Sequence, residues 1–170
     1  MKYILDFDRT LFHTELLYEA LDRDGVDRTI LVPAIWESYQ AKDFLYPDTV
    51  PFFTQHNPDD LIILTAYGTK YGDQVRAYQQ AKVEQAPILD LVSQIHFVEH
   101  DKVTTMQTIA TTYGPDEPLV FVDDLLEHCL AVKAAVPDCQ CYLIQRTSSP
   151  ITPPAGITVI QSLTELPFTS

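Results

Sequence analysis

Short apolar runs recur along this chain with helical stretches between them, and that alternation constrains the fold more than any other feature. Tyr3-Ile4-Leu5, Leu61-Ile62-Ile63-Leu64, residues 93–98, Leu119-Val120-Phe121-Val122, residues 141–144 and residues 157–160 each read as a short buried strand. Between them, apolar side chains fall at helical spacing: Phe12, Leu16, Leu17, Ala20 and Leu21 up to Gly25; Val103, Met106, Ile109 and Ala110 up to Gly114; Leu125, Leu126, Cys129, Leu130 and Val136 before Pro137. Asp73 is read as the N-cap of another helix that runs to about Gln85. The strands are continuously apolar instead of alternating, so both faces of the sheet must be covered. The expected fold class is therefore α/β: a Rossmann-like parallel sheet covered by helices on both faces.

The remaining stretches fit round that core. Residues 13–45 are expected to form a small helical cap of about two helices, the second over Arg28 to Lys42. That helix carries Ile30, Leu31, Ala34, Ile35 and Tyr39 on its stripe and Pro33 in its first turns. Residues 1–12 and 46–170 would make the α/β unit. Trp36 and Tyr39 are read as packing residues. A short helix ends near His56, residues 57–60 form a turn, and residues 66–72 and 147–156 are loops.

The polar residues follow the strands. The first strand ends in Asp6 and Asp8, the second in Thr65, and the fourth in Asp123-Asp124, while Lys102 follows the third. In a parallel sheet ligands bind beyond the carboxyl ends of the strands, so these groups would share one rim. Asp6 and Asp8, two apart in an extended segment, would lie on one face and converge on one ligand. Adjacent anions repel unless a cation lies between them or one holds a proton. Carboxylates without a His or Cys cluster suit a hard cation such as Mg²⁺. Thr65 would donate to a phosphate and Lys102 would neutralise it. Each residue alone has a plainer explanation: a strand end for Thr65, a helix start for Lys102, an N-cap for Asp123-Asp124. The five histidines show no usable mutual spacing and are read as structural or surface groups.

A length of 170 residues suits one domain with a small insertion. A net charge of −13 argues against a nucleic-acid partner and against docking on anionic membrane, but it is compatible with a small phosphorylated substrate held by a cation. Cys129, Cys139 and Cys141 form no metal-ligand spacing. Their odd number, and a first strand that follows Met1-Lys2 directly, lead us to expect a cytoplasmic protein with reduced thiols. No apolar run approaches the ~18 residues needed to span a bilayer.

Asp6-Phe7-Asp8-Arg9-Thr10-Leu11, Leu64-Thr65, Lys102 and Val122-Asp123-Asp124 together resemble, in order and approximate spacing, the four motifs of the haloacid dehalogenase-like superfamily of phosphohydrolases. The resemblance implies Asp6 as nucleophile and Asp8 as general acid/base, with Thr65 and Lys102 holding the phosphoryl group. It also implies a Mg²⁺ held by Asp6, the Asp8 carbonyl and Asp124, with Asp123 acting directly or through water, and substrate contacts from Arg9, Thr65, Ala66 and Lys102. The implied activity is a phosphatase with an aspartyl-phosphate intermediate, the alternatives being a phosphotransferase or a non-catalytic protein that binds Mg²⁺ and a phosphorylated partner. True dehalogenases of the superfamily lack the second aspartate, which this chain has in Asp8. Two positions depart from the usual pattern: Arg9 stands where glycine is common, and His128 stands where an Asp or Asn often follows the fourth motif.

Overall fold

The computed structural model describes residues 1–29, 32–68, 74–146 and 151–168. Ile30, Leu31, Asp73 and parts of the two expected loops (69–72 and 147–150) lie outside the described residues. The strands are β1 (Lys2–Leu5), β2 (Leu61–Tyr67), β3 (Gln94–Glu99), β4 (Leu119–Asp123), β5 (Gln140–Ile144) and β6 (Ile157–Ile160). The helices are α1 (Thr14–Arg23), α2 (Thr49–Gln55), α3 (Gln74–Glu84), α4 (Val103–Tyr113) and α5 (Leu126–Ala135). All strand pairs are parallel, in the order β3-β2-β1-β4-β5-β6. This is the α/β architecture that the apolar runs require.

Period-two alternation gives the sheet two apolar faces. Tyr3, Leu5, Leu61, Ile63, Val120 and Val122 pack with Leu17 and Leu21 of α1, Phe52 and Phe53 of α2, and Tyr78 and Val83 of α3. Ile4, Ile62, Leu64, Leu119 and Phe121 pack with Met106 and Ile109 of α4 and Cys129 and Val132 of α5. With apolar side chains needed on both faces, the strands cannot alternate with polar ones, and six short runs suffice to bury the centre of the sheet.

Three local expectations are corrected. The helix over Arg28 to Lys42 does not form; two 3₁₀ turns, Pro33–Glu37 and Ala41–Phe44, replace it. Pro33 forces Val32 into an extended conformation (φ −114°, ψ 146°), and Gln40 is extended as well (φ −100°, ψ 120°), so no α-helix can run through. Their buried side chains, Ile35, Trp36, Ala41 and Phe44, belong to the same apolar cluster as β1 and α3. Helix α5 buries Cys129 and Val132, whereas Leu125 and Leu130 are 40% and 41% exposed. Leu125 is the extended residue before the helix, so the buried stripe is set later than the leucine spacing suggests. Strand β2 also continues past Thr65, held by β3 through Tyr67 opposite Glu99.

Register brings the functional ends level. Leu5 lies opposite Ile63 on one side and Val122 on the other, and the Asp6 N–H donates to the Val122 carbonyl at 2.9 Å. Asp6 and Asp123 are therefore adjacent at the carboxyl edge, with Thr65 on the neighbouring strand. The described residues contain no helix long and apolar enough to cross a membrane.

Candidate active site

The chain leaves β1 into a tight loop. Arg9 adopts a left-handed backbone (φ 57°) and donates its N–H to the Phe12 carbonyl at 2.7 Å, while Leu11 and Phe12 both donate to the Phe7 carbonyl. Glycine takes this conformation at no steric cost, which accounts for the departure noted at Arg9: the turn is kept with a side chain on it. The turn also ends the period-two alternation. The two side chains take different partners, Asp6 beside α4 and α5 and Asp8 beside α1 and α3, yet they stay close enough for the charge of Asp8 to raise the pKa of Asp6.

On the first side, Lys102 Nζ donates to Asp6 Oδ1 at 2.5 Å and to Asp123 Oδ2 at 2.7 Å. All three side chains are buried. Asp123 Oδ1 accepts the Leu125 N–H at 2.9 Å, and His128 places Nδ1 3.1 Å from Asp123 Oδ2. Ligand oxygens of Asp6, Asp123 and Asp124 lie within 4.8 Å of one another. Two of these carboxylates thus share one ammonium, and the third stands beside them. Burial, opposed by Lys102 and assisted by Asp123, pushes the Asp6 carboxyl up to about 6. Burial and the charges of Asp6 and Asp123 push Asp124 up to about 7. Burial alone would lower the pKa of Lys102, but the two carboxylates outweigh it and raise the pKa instead. The hydrogen bond to Asp123 raises that of His128. An all-oxygen cluster with this excess of negative charge fits a hard divalent cation.

On the second side, Asp8 receives four hydrogen bonds. Lys82 Nζ donates at 2.6 Å to Oδ1 and 2.7 Å to Oδ2, Gln79 Nε2 donates at 2.6 Å to Oδ2, and Thr14 Oγ1 donates at 2.8 Å to Oδ1. Despite burial, Lys82 and these neutral donors hold the Asp8 carboxyl below its ordinary range. Gln79 also donates to Thr65 Oγ1 at 2.8 Å. Thr65 is fully buried and keeps its own hydroxyl proton to donate. The Asp8 carboxylate lies outside the three-acid cluster.

Two cavities flank the loop. One of about 160 Å³ is bordered by Asp8, Thr14, Leu17, Tyr18, Ala66 and Lys82, among others. The other, of about 140 Å³, is bordered by Glu15, Tyr46, Asp124, Gln145 and Arg146. Arg9 lines both; its side chain is 47% exposed and donates to Glu15 Oε1 at 2.5 Å. Trp36 is in neither: its ring packs between Phe12 and Tyr78, and its Nε1 donates to the Tyr78 carbonyl. Tyr39 donates to Asp24, away from both cavities.

The structure thus brings together Asp6, Lys102, Asp123 and Asp124 as one group, and Asp8, Thr65, Ala66 and Arg9 as a neighbouring one. The sequence reading missed Lys82, Gln79 and Thr14, and placed His128 among the structural or surface histidines. Gln79 and Lys82 fall on the buried stripe of α3 with Val75, Tyr78 and Val83, so a lysine in phase with apolar residues was the available signal.

No protein-family model matches the sequence, and no curated protein matches it. Solved structures do. A haloacid dehalogenase-like family hydrolase from Xanthomonas campestris superposes with a TM-score of 0.62 at 15% identity, over 95% of this chain and 91% of that one. A protein described as a haloacid dehalogenase-like hydrolase from Burkholderia xenovorans LB400 gives 0.65 at 18% identity, over 98% of each chain. A dehalogenase solved as an intermediate complex gives 0.62 at 12% identity, over 96% of this chain and 94% of that one. Across nearly its whole length, this chain carries the haloacid dehalogenase-like hydrolase fold.

Proposed function

We propose that the chain is a Mg²⁺-dependent phosphomonoester hydrolase that works through an aspartyl-phosphate on Asp6. The observation that carries this reading is the cluster of Asp6, Asp123 and Asp124, of which the first two pair with the buried ammonium of Lys102. Bound at those carboxylates, Mg²⁺ would supply the positive charge that a phosphoryl group needs beside them. The Asp6 carboxylate attacks phosphorus, forming an acyl-phosphate bond as the ester P–O bond breaks. Asp8, held ionised, takes the proton that a phosphate monoanion brings and passes it to the departing oxygen, then takes one from the water that cleaves the acyl-phosphate. The ion pair with Lys82 favours the proton-accepting form of Asp8. Lys102 fixes Asp6 and offsets negative charge at the reacting oxygens, and Thr65 donates its remaining proton to the phosphoryl group.

Loss of a halide from carbon needs no proton donor at the leaving group, so the first of the two tasks given to Asp8 has no counterpart in a dehalogenase. Residues 13–45, taken as a small cap, contribute Thr14, Glu15, Leu17 and Tyr18 to the two cavities, and α1 is the part of that segment which selects the substrate. The test is release of phosphate from 4-nitrophenyl phosphate and a panel of phosphorylated metabolites, with Mg²⁺ and with excess chelator. Mg²⁺-dependent release supports the reading. Turnover that survives the chelator contradicts the metal assignment, and no release from any ester contradicts the hydrolase.

A further inference from the structure

We propose that Lys82 and Gln79 form a positioning pair that acts on the reaction through Asp8, holding its carboxylate against the 160 Å³ cavity and tying it to Thr65. This inference rests on the reading of Asp8 as the acid/base group. The side chain of Lys82 is only 4% exposed, and a buried ammonium is costly unless it is paired and hydrogen-bonded. A methionine or leucine would fill the same place on α3 without that cost, so the charge at this position requires a reason. Its Nζ meets both Asp8 oxygens and lies 5.1–5.7 Å from the ring centroids of Phe12, Tyr78 and Phe7. That aromatic cage leaves the ammonium one direction in which to point.

Gln79 lies one turn earlier on the same face of α3. One of its amide hydrogens goes to Asp8 and the other to Thr65, and both acceptors lie near the proposed phosphoryl position. Thr14 completes the cradle from the start of α1. Donors from two helices therefore fix both torsions of Asp8, whose side chain remains 29% exposed and borders the cavity. Lys82 borders the same cavity, but its Nζ is taken up by both Asp8 oxygens and enclosed by three rings, so its influence passes through Asp8.

A double-mutant cycle on the full chain separates positioning from simple support of the fold. Steady-state kinetics with 4-nitrophenyl phosphate would compare wild type, Lys82→Met, Gln79→Leu, Asp8→Asn, and each of the first two variants combined with Asp8→Asn. Lys82→Met and Gln79→Leu are each expected to lower kcat by about 10- to 100-fold with KM changed less than about threefold, and Asp8→Asn by about 10²–10⁴-fold. In the Asp8→Asn background, either second substitution should change kcat by less than about threefold, because its only route of action is already gone. Gln79→Leu leaves the ion pair intact and so gives an answer even where Lys82→Met does not fold. Losses that multiply fully in the Asp8→Asn background, or that appear in KM instead of kcat, overturn the inference alone. An inert wild type, or a fully active Asp8→Asn, overturns the functional reading and this inference with it.

Discussion

The two buried lysines at this rim stand in opposite electrostatic situations. Lys102 faces Asp6 and Asp123 with Asp124 beside them, so one cation is set against three carboxylates. Lys82 faces Asp8 alone, with Gln79 and Thr14 as neutral donors, so charge there is balanced. The difference shows in the acids. Asp6 and Asp124 are pushed up, to about 6 and about 7, while Asp8 is held below its ordinary range. The acidic side is short of positive charge, and the balanced side needs none. The same short loop thus gives one aspartate a place for a cation and the other a fixed, fully bonded seat.

The largest expected effect separates the two lysines. Removing one partner of a buried ion pair costs about 3–5 kcal/mol, so Lys82→Met and Lys102→Met should both lower the melting temperature clearly. Saturating Mg²⁺ should restore much of the loss in Lys102→Met and none in Lys82→Met. Equal rescue of both in thermal unfolding would break the distinction. Next, Asp124→Asn should weaken Mg²⁺ binding by about tenfold or more in calorimetric titration, yet stabilise the metal-free protein near pH 8 by relieving repulsion. A metal-free protein destabilised by this change would show that Asp124 is not in an anion-rich site.

A smaller effect concerns pH. Asp6 and Asp124 bind protons more tightly in the folded chain than at their ordinary value of 3.8. Between about pH 4 and pH 7 the folded state therefore holds protons that the unfolded state has released. Metal-free stability should then fall as pH rises through that window, by about 1–3 kcal/mol, and level off near pH 8. With Mg²⁺ present the fall should shrink. Denaturant titrations at several pH values test this; stability that rises over the same window without metal would contradict the charge assignment. The smallest effect is at Arg9. Arg9→Gly relieves a left-handed backbone but loses an exposed ion pair with Glu15 and adds chain entropy, so stability should change by no more than about 1 kcal/mol. Its effect on kcat/KM should differ from substrate to substrate, because Arg9 lines both cavities. A uniform loss would place Arg9 in the machinery common to all substrates.

What the sequence made legible was mostly what local chemistry decides. Continuous apolar runs fixed the strands, and strand ends placed Asp6, Thr65 and Asp123 at one edge. The Asp6/Asp8 spacing put both carboxylates at one rim, but it could not show that each takes a lysine of its own, because those lysines come from distant parts of the chain. The helix over Arg28 to Lys42 was misread because the apolar stripe outweighed Pro33 in the reading, whereas in the molecule the restriction on Val32 prevails. Lys82 lies 74 residues from Asp8 in the chain, and nothing local announces such a partner except a lysine in phase with Val75, Tyr78 and Val83. His128 lies one helical turn beyond Asp124, where the resemblance to the family marks a departure from its usual Asp or Asn. Its contact with Asp123 became evident only once the N-terminal turn of α5 was set.

The account stands most directly on Asp6. Wild-type protein incubated with Mg²⁺ and acetyl phosphate, quenched in acid and reduced with borohydride, should yield homoserine at position 6 by peptide mass spectrometry. The product should be absent without Mg²⁺ and absent in Asp6→Asn. A reduced residue at any other aspartate, or undiminished phosphate release by Asp6→Asn, would contradict the assignment of Asp6 as the nucleophile beside a metal-binding acid cluster.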